Sequence, residues 1–451
     1  MAAEVEVVAG DNQRVAVAFG SSVRLLAAIL GVLRTGRSVV LVNTGLPLDA
    51  IRINLEDAAV KAMLYDDDQS HLAKMVRSSV AAPKLALPTM LEMPLTKRGP
   101  GDEWGVIYSS GTTGVPKGIE RDYESIVTEL VGWCLELGLT RQSRFYIGRP
   151  IYYTGGLVLA LATLLVAGSV ILNEYQIGDS VEDVWRDYQL TLERYPIDFA
   201  FFIPDQLRGF LRVAAGQQPR SARTILTMGG PISGAEKTQV TTAFSCDLVE
   251  SWGNTESLGT ITDPADVHIR PNSIGHPFLT DEMCVVDEEC CVVAPGVLGR
   301  LAGGMSAGFL RYSNRPKDTA LVRRNSLIIS EDIGYQDENG FFYIRGRSQD
   351  CVVLLDGSTV FLQDLEQELR KLPMIRDCSI VAKPGTNGET RFLVALVLAG
   401  SQEDGAWDDA VRQQLRSRIA LERIRILDEL PRLPSGKINR PAIEQEFDRT
   451  I

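Results

Sequence analysis

The chain has 451 residues, too many for one ordinary domain. With 45% hydrophobic and 23% charged residues it reads as a water-soluble globular protein, and a formal net charge of −12 argues against a broad basic surface for nucleic acid. Seven scattered cysteines without CxxC spacing exclude a disulfide framework and fit reduced thiols in a cytoplasmic protein, while three dispersed histidines are too few for a metal cluster or a histidine triad.

Taken in chain order, short apolar runs alternate with amphipathic stretches. Val15–Phe19, Ser38–Val42 and Ala62–Tyr65 read as strands. A helix between the first two is capped by Ser21 and closed by Gly36, and another starts near Leu48. Strand, helix, strand with short turns implies parallel strands with helices on their faces. The alternation continues with a strand at 106–108, helices near 123–137, 156–167, 181–194 and 205–215, and strands near 145–148, 169–172, 199–203 and 224–228. The uncharged run Gly155–Leu172 has the length of a marginal membrane span, but Gly168 and the strand-like Ser-Val-Ile-Leu after it predict a buried helix followed by a buried strand. No basic n-region of a signal peptide precedes it; Glu4 and Glu6 stand there. From about 272 to 345, short β-like runs punctuated by glycine predict a small barrel or distorted sheet. The last hundred residues read as α+β, with strands near 351–355, 376–381 and 391–399 and helices near 363–371 and 407–420. The predicted class is α/β: a large N-terminal domain of parallel sheets over residues 1–348, and a small mobile α+β domain over 349–451.

One segment is rich in groups that bind anions: Tyr108-Ser109-Ser110-Gly111-Thr112-Thr113-Gly114-Val-Pro-Lys117-Gly. Glycines let backbone N–H groups close around a phosphate, hydroxyls add donors and a lysine adds charge. The segment is read as lying between a strand and a helix. It is not a Walker loop, since Pro116 and Gly118 flank Lys117.

This segment resembles the phosphate loop of the adenylate-forming superfamily, which includes acyl-CoA synthetases, adenylation domains and luciferases. Further segments resemble that family's motifs in the same order, from about residue 14 to 445. Trp252-Gly253-Asn254-Thr255-Glu256 is similar to its aromatic-Gly-x-Thr-Glu motif; the resemblance implies adenine stacking on Trp252, a phosphate contact from Thr255 and Mg²⁺ on Glu256. Met228-Gly229-Gly230-Pro resembles the loop along adenine and the acyl pocket. Glu331-Asp332-Ile-Gly-Tyr and the run through Tyr343 to Arg347 resemble the ribose-binding segment, with Asp332 on the ribose hydroxyls and Arg347 assisting. Gln349 stands where the family has an aspartate or lysine hinge. Leu-Pro434-Ser-Gly-Lys437 resembles the catalytic-lysine loop.

The resemblance implies two steps. A carboxylate attacks the α-phosphorus of ATP, with Mg²⁺, and the acyl-adenylate then passes to the pantetheine thiol of CoA or of a carrier protein after rotation about Gln349. Gly357 lies where the rotated domain lines the thiol tunnel. Tyr153, Thr154 and Gly155, with Met228, Gly229 and Trp252, would border the acid. Tyr153 stands where amino-acid-activating members place an aspartate, and it supplies no counter-charge to an α-ammonium, so a small or medium aryl or short acyl acid is expected. Two departures stand out. The family's residues ahead of the strand at Val15 are mostly missing, so an exposed edge and a homodimer are expectations. Ser330-Glu331 replaces the usual Thr-Gly before Asp332. The readings left open are an acyl-CoA ligase, a stand-alone enzyme loading a carrier, and a degenerate nucleotide binder, with no nucleic acid and no membrane span among its partners.

Overall fold

Strands that are apolar on both faces must be covered on both faces, and that requirement organises this chain. The computed structural model describes residues 2–10, 13–82, 96–109, 116–173, 180–257, 259–306, 308–356, 358–385, 389–400, 406–432 and 438–448. These cluster into two units, one of Met1–Val297, Ala302–Ser330 and Gln336–Tyr343, the other of Leu298–Leu301, Glu331–Tyr335 and Ile344–Ile451.

In the first sheet, strand Arg14–Ala18 lies between Ser38–Leu41 and Ala62–Tyr65, parallel to both. It is therefore an interior strand, and the edge expected there, which motivated a second copy, does not exist at this position. Ser78–Ala81 continues the sheet on one side. Glu103–Ser109 continues it on the other, followed by antiparallel Lys117–Asp122 and Arg311–Tyr312. Helix Val23–Arg34 buries Leu25, Leu26, Ala28, Ile29 and Val32. Its cap is Ser22, whose hydroxyl accepts from the Leu25 N–H, not Ser21. The Ser21 hydroxyl accepts instead from the Ile151 N–H at 3.2 Å, tying this turn to the second sheet's loops.

The second sheet places parallel strands Ser169–Leu172, Arg144–Ile147, Phe199–Phe202, Thr224–Thr227 and Asp247–Trp252 side by side. Antiparallel Thr260–Ile261 and His276–Pro277 complete it. The uncharged run is, as expected, a helix, Thr154–Leu165, buried over Gly156–Thr163, followed by strand Ser169–Leu172. Contrary to expectation that strand is not buried, because it forms the edge of its sheet, with Ser169 exposed and the rest half-buried. Among the described residues no helix is long and apolar enough to cross a membrane. The glycine-punctuated region supplies the strands of a five-stranded sheet: Met283–Val286, Gly299–Gly304, Arg323–Arg324, Leu327–Gln336 and Phe342–Arg347.

In the second unit, Ile375–Pro384 and Thr390–Leu398 pair antiparallel, and Leu421–Ile426 runs parallel to the latter. The helix expected over 407–420 stops at Leu415. Beyond it, charged and apolar residues alternate with period two only over the last four residues of Leu-Glu-Arg-Ile-Arg-Ile, and the strand's register shifts after Leu421. All seven cysteines are unbridged.

Candidate active site

In an open α/β sheet the loops leaving the carboxyl ends of the strands are where ligands bind. Here four neighbouring strands deliver the candidate residues to that one edge. Arg144–Ile147 leads into Arg149–Thr154, and Phe199–Phe202 into Ile203–Gln206. Thr224–Thr227 leads into Met228–Gly230, and Asp247–Trp252 into Gly253–Glu256. Gly229 has φ +89°, a conformation that turns the chain sharply after Met228 and that a side chain would strain. A Cβ on Gly155 would lie 3.0 Å from the Met228 sulfur and 3.4 Å from the Phe201 ring, so the start of helix Thr154–Leu165 comes directly against Met228. The Thr154 hydroxyl is 3.3 Å from that of Thr255. Tyr153, Thr154, Gly155, Met228 and Thr255, far apart in sequence, are thus neighbours.

The turn Trp252–Ser257 is held locally. The Asn254 side-chain oxygen accepts from the Ser257 N–H at 2.8 Å and from its hydroxyl at 3.2 Å. Gly253 is exposed within this turn. Gly259, which the sequence reading did not single out, is what lets Trp252 pair with Thr260: a Cβ there would fall 1.9 Å from the Trp252 carbonyl oxygen.

The phosphate-loop segment differs from the expectation. Ser109 and Lys117 are cross-strand partners, so residues 110–116 connect the strands of an antiparallel hairpin. The helix Tyr123–Glu136 begins only at the far end of the second strand, capped by Asp122. No helix N-terminus follows the loop directly, and any anion there would rely on the loop's own donors and on Lys117. Ser110, Gly111, Thr112, Thr113 and Gly114 lie outside the described residues, and of Ser109 only the backbone is described.

Lys117 and Glu256 are joined by a residue that the motifs did not reveal. The Tyr312 hydroxyl donates to Glu256 Oε1 at 2.7 Å, and the Lys117 ammonium sits 4.9 Å above the Tyr312 ring. Asp318 adds a carboxylate 3.7 Å from Lys117. Behind them, fully buried Arg121 pairs with Glu129 at 3.0 Å and donates to the Thr255 carbonyl at 3.3 Å. The Phe309 N–H reaches the Glu256 carbonyl at 2.7 Å. No sequence spacing could have revealed Tyr312 or Arg121, because their partners are 56 and 134 positions away. Glu256 Oε2 has no hydrogen-bond partner among the described residues. Among those residues no group of three or more His, Cys, Asp and Glu side chains could hold a metal. One half-exposed carboxylate fits Mg²⁺, which takes one or two protein oxygens and completes its shell with phosphate and water.

In the second unit, Asp332 lies on strand Leu327–Gln336, 9% exposed, and its Oδ1 is 3.3 Å from Arg347 Nε. The ribose pair proposed from sequence is thus in contact. The unusual Glu331 points outward, held by Arg300 at 3.2 Å and by the Ser348 hydroxyl, so it leaves Asp332 undisturbed. Gln349 sits in the 3₁₀ turn Ser348–Asp350, and Asp350 is tied to Arg440 at 3.0 Å. Lys437 and Gly357 lie outside the described residues. Arg432 and Ile438, on either side of Lys437 in the sequence, form an isolated bridge. In the first unit, the Tyr343 hydroxyl donates to Asp337 at 3.2 Å. Exposed Gly230 has room beside Pro204.

A family model described as AMP-binding enzyme matches residues 6–310. The 2-succinylbenzoate–CoA ligase of Listeria innocua is 25% identical, the alignment covering 91% of this chain and 84% of that protein. A fatty acid–[acyl-carrier-protein] ligase of Streptomyces coeruleorubidus is also 25% identical, over 93% and 84% respectively. The Bacillus subtilis o-succinylbenzoate CoA synthetase, solved with its acyl-adenylate intermediate, superposes with a TM-score of 0.84 at 22% identity, covering 98% of this chain and 90% of that one. With a family model spanning more than half its length, and with its threonine, glutamate and lysine gathered at the carboxyl edge of its sheets, this chain belongs to the AMP-binding enzyme family.

Proposed function

We propose that this protein is an ATP-dependent acid–thiol ligase that activates a small or medium aryl or short acyl acid as its adenylate and transfers the acyl group to CoA. The observation that carries this reading is the convergence of Thr154, Met228 and Thr255 beside the Lys117–Tyr312–Glu256 cluster. Two anions must meet when a carboxylate attacks the α-phosphorus and pyrophosphate leaves, so the protein's task is positioning and charge neutralisation. Residues 109–117 would hold the β- and γ-phosphates, Thr255 the α-phosphate, and Trp252 with Gly229 and Gly230 the adenine. Asp332 and Arg347 would hold the ribose. Glu256 would hold Mg²⁺ together with phosphate oxygens, and the ion supplies neutralising charge there. Lys437 would bridge the attacking carboxylate and the α-phosphate, and rotation about Gln349 would then admit the thiol.

A carrier-borne phosphopantetheine is the second reading for the acceptor, favoured by the relative whose name is that of a carrier-protein ligase. The seven unbridged cysteines suit a reducing cytoplasm. The test is acid-dependent exchange of labelled pyrophosphate into ATP, across aryl, fatty, short-chain and amino acids. Exchange confined to one acid class, falling about a hundredfold in Lys437→Ala, is the expected result. ATP binding without exchange for any acid would leave a nucleotide binder, and absence of ATP binding would overturn the reading. CoA and a carrier protein are then compared as acceptors.

A further inference from the structure

We propose that Arg149 recognises a second carboxylate on the acid, so that the substrate is a dicarboxylic acid; this rests on the acid-activating reading of the same site. Arg149 leaves the carboxyl end of strand Arg144–Ile147, four residues before Tyr153. Its guanidinium lies 5.2 Å from the centroid of the Tyr153 ring. The Tyr153 hydroxyl is fixed in turn by the Asn43 amide at 3.2 Å, from the loop leaving the first sheet. The next residue, Thr154, touches Thr255. The guanidinium therefore lies against Tyr153, the neighbour in sequence of the Thr154 that touches Thr255, on the wall of the proposed acid site.

Arg149 is half-buried, yet among the described residues no carboxylate pairs with it and no acceptor takes its N–H groups. By contrast, half-buried Arg24 holds Asp66 and Arg208 holds Glu236, and buried Arg121 holds Glu129. None of the Arg149 nitrogens is among the buried atoms lacking a partner, so its donors are reachable from solvent. A cation held over a ring, with its planar fork of donors exposed, is built for a carboxylate, which can accept two parallel hydrogen bonds from it. The surroundings define the rest of the ligand. Met228 and Phe201 give the acid's body an apolar wall near Gly155, and Tyr153 adds a flat one. The fitting acid has a hydrocarbon or aryl body, one carboxylate directed to Thr255 and another to Arg149. The same positive charge disfavours an α-ammonium, which has no counter-charge from Tyr153.

The experiment pairs malonate, succinate, glutarate, phthalate and 2-succinylbenzoate with their monomethyl esters. Each pair is measured by calorimetric binding in the presence of AMP and by pyrophosphate exchange, with wild type, Arg149→Met and Arg149→Lys. Met keeps the stem that packs at Tyr153 without its charge. The expected result is at least one diacid preferred over its monoester by about tenfold or more in wild type. That ratio should collapse towards one in Arg149→Met, through Kd and KM, and recover in part in Arg149→Lys. A wild type without preference for any diacid would overturn the proposal. So would an Arg149→Met variant that weakens diacid and monoester equally, or that raises the KM for ATP alone. Arg149-dependent diacid binding without exchange would overturn the adenylation reading and leave this one standing; exchange indifferent to the second carboxylate would do the reverse.

Discussion

Tyr312 shows how much of this site depends on single side chains outside the motifs. Its hydroxyl holds one oxygen of Glu256 and its ring faces Lys117, so one residue sets the spacing of a carboxylate and an ammonium that are 139 positions apart in the chain. Removing the hydroxyl while keeping the ring isolates the first of these contacts. Tyr312→Phe is expected to raise the Mg²⁺ concentration needed for half-maximal pyrophosphate exchange and to lower the maximal rate about tenfold, as loss of a hydrogen bond to a charged group does. A magnesium titration of wild type and variant checks this, and an unchanged magnesium response would remove Tyr312 from the site. Residue chemistry made Lys117, Thr255, Glu256 and Asp332 legible in the sequence, because a hydroxyl–glycine run ending in lysine and an aromatic-Gly-x-Thr-Glu run are local patterns. Tyr312, Arg121 and Arg149 carry no local pattern, and only their neighbours in space give them a role.

At the scale of elements, the hairpin around the phosphate loop is the main difference from expectation. Lys117–Asp122 extends a sheet whose next strand, Arg311–Tyr312, lies nearly two hundred residues on, so its strand character comes from pairing more than from local preference. Asp281 is buried, 9% exposed. Its Oδ1 accepts from the Glu282 N–H at 2.9 Å, while Oδ2 is buried without a partner. Strand Gly299–Gly304 lies so near that a Cβ on Gly304 would come within 2.7 Å of it. Burial pushes the Asp281 carboxyl from its ordinary 3.8 up to about 7; Glu129 and Glu282 push the same way, and the Glu282 N–H and Arg121 oppose. Between pH 4 and 7 the folded state therefore binds the proton that the unfolded state has released, so this group lowers stability as pH rises through that window. Asp281→Asn is expected to be more stable than wild type at pH 8, by up to about 4 kcal/mol, and to show a small difference at pH 4. Urea unfolding midpoints at the two pH values check this, and a difference independent of pH would assign the effect to packing.

At the scale of the whole molecule, the candidate residues divide between two units, with the adenine, phosphate and acid groups on one and the Asp332–Arg347 pair and Gln349 on the other. Asp350 is anchored by Arg440, which also holds Glu366 at 2.6 Å, so the chain is fastened within its unit immediately after Gln349. If rotation about Gln349 serves only the second step, Gln349→Pro should keep pyrophosphate exchange within a few-fold of wild type and lower thioester formation about tenfold or more, since proline fixes φ. Parallel assays of the two half-reactions decide it; equal losses in both would place the pivot elsewhere.

The sequence by itself determined the alternation of parallel strands and helices, the helix and strand within the uncharged run 155–172, and the order of the segments that resemble nucleotide-binding motifs. Those follow from periodicity and from short loops whose chemistry is complete within a few residues. The tertiary structure decided which strand partners the phosphate loop, that the first strand is interior, that the helix expected over 407–420 gives way to a strand, and that Tyr312, Arg121 and Arg149 stand beside the candidate residues. Each of those rests on hydrogen bonds or packing between residues far apart along the chain, and local propensity carries no record of such a partner.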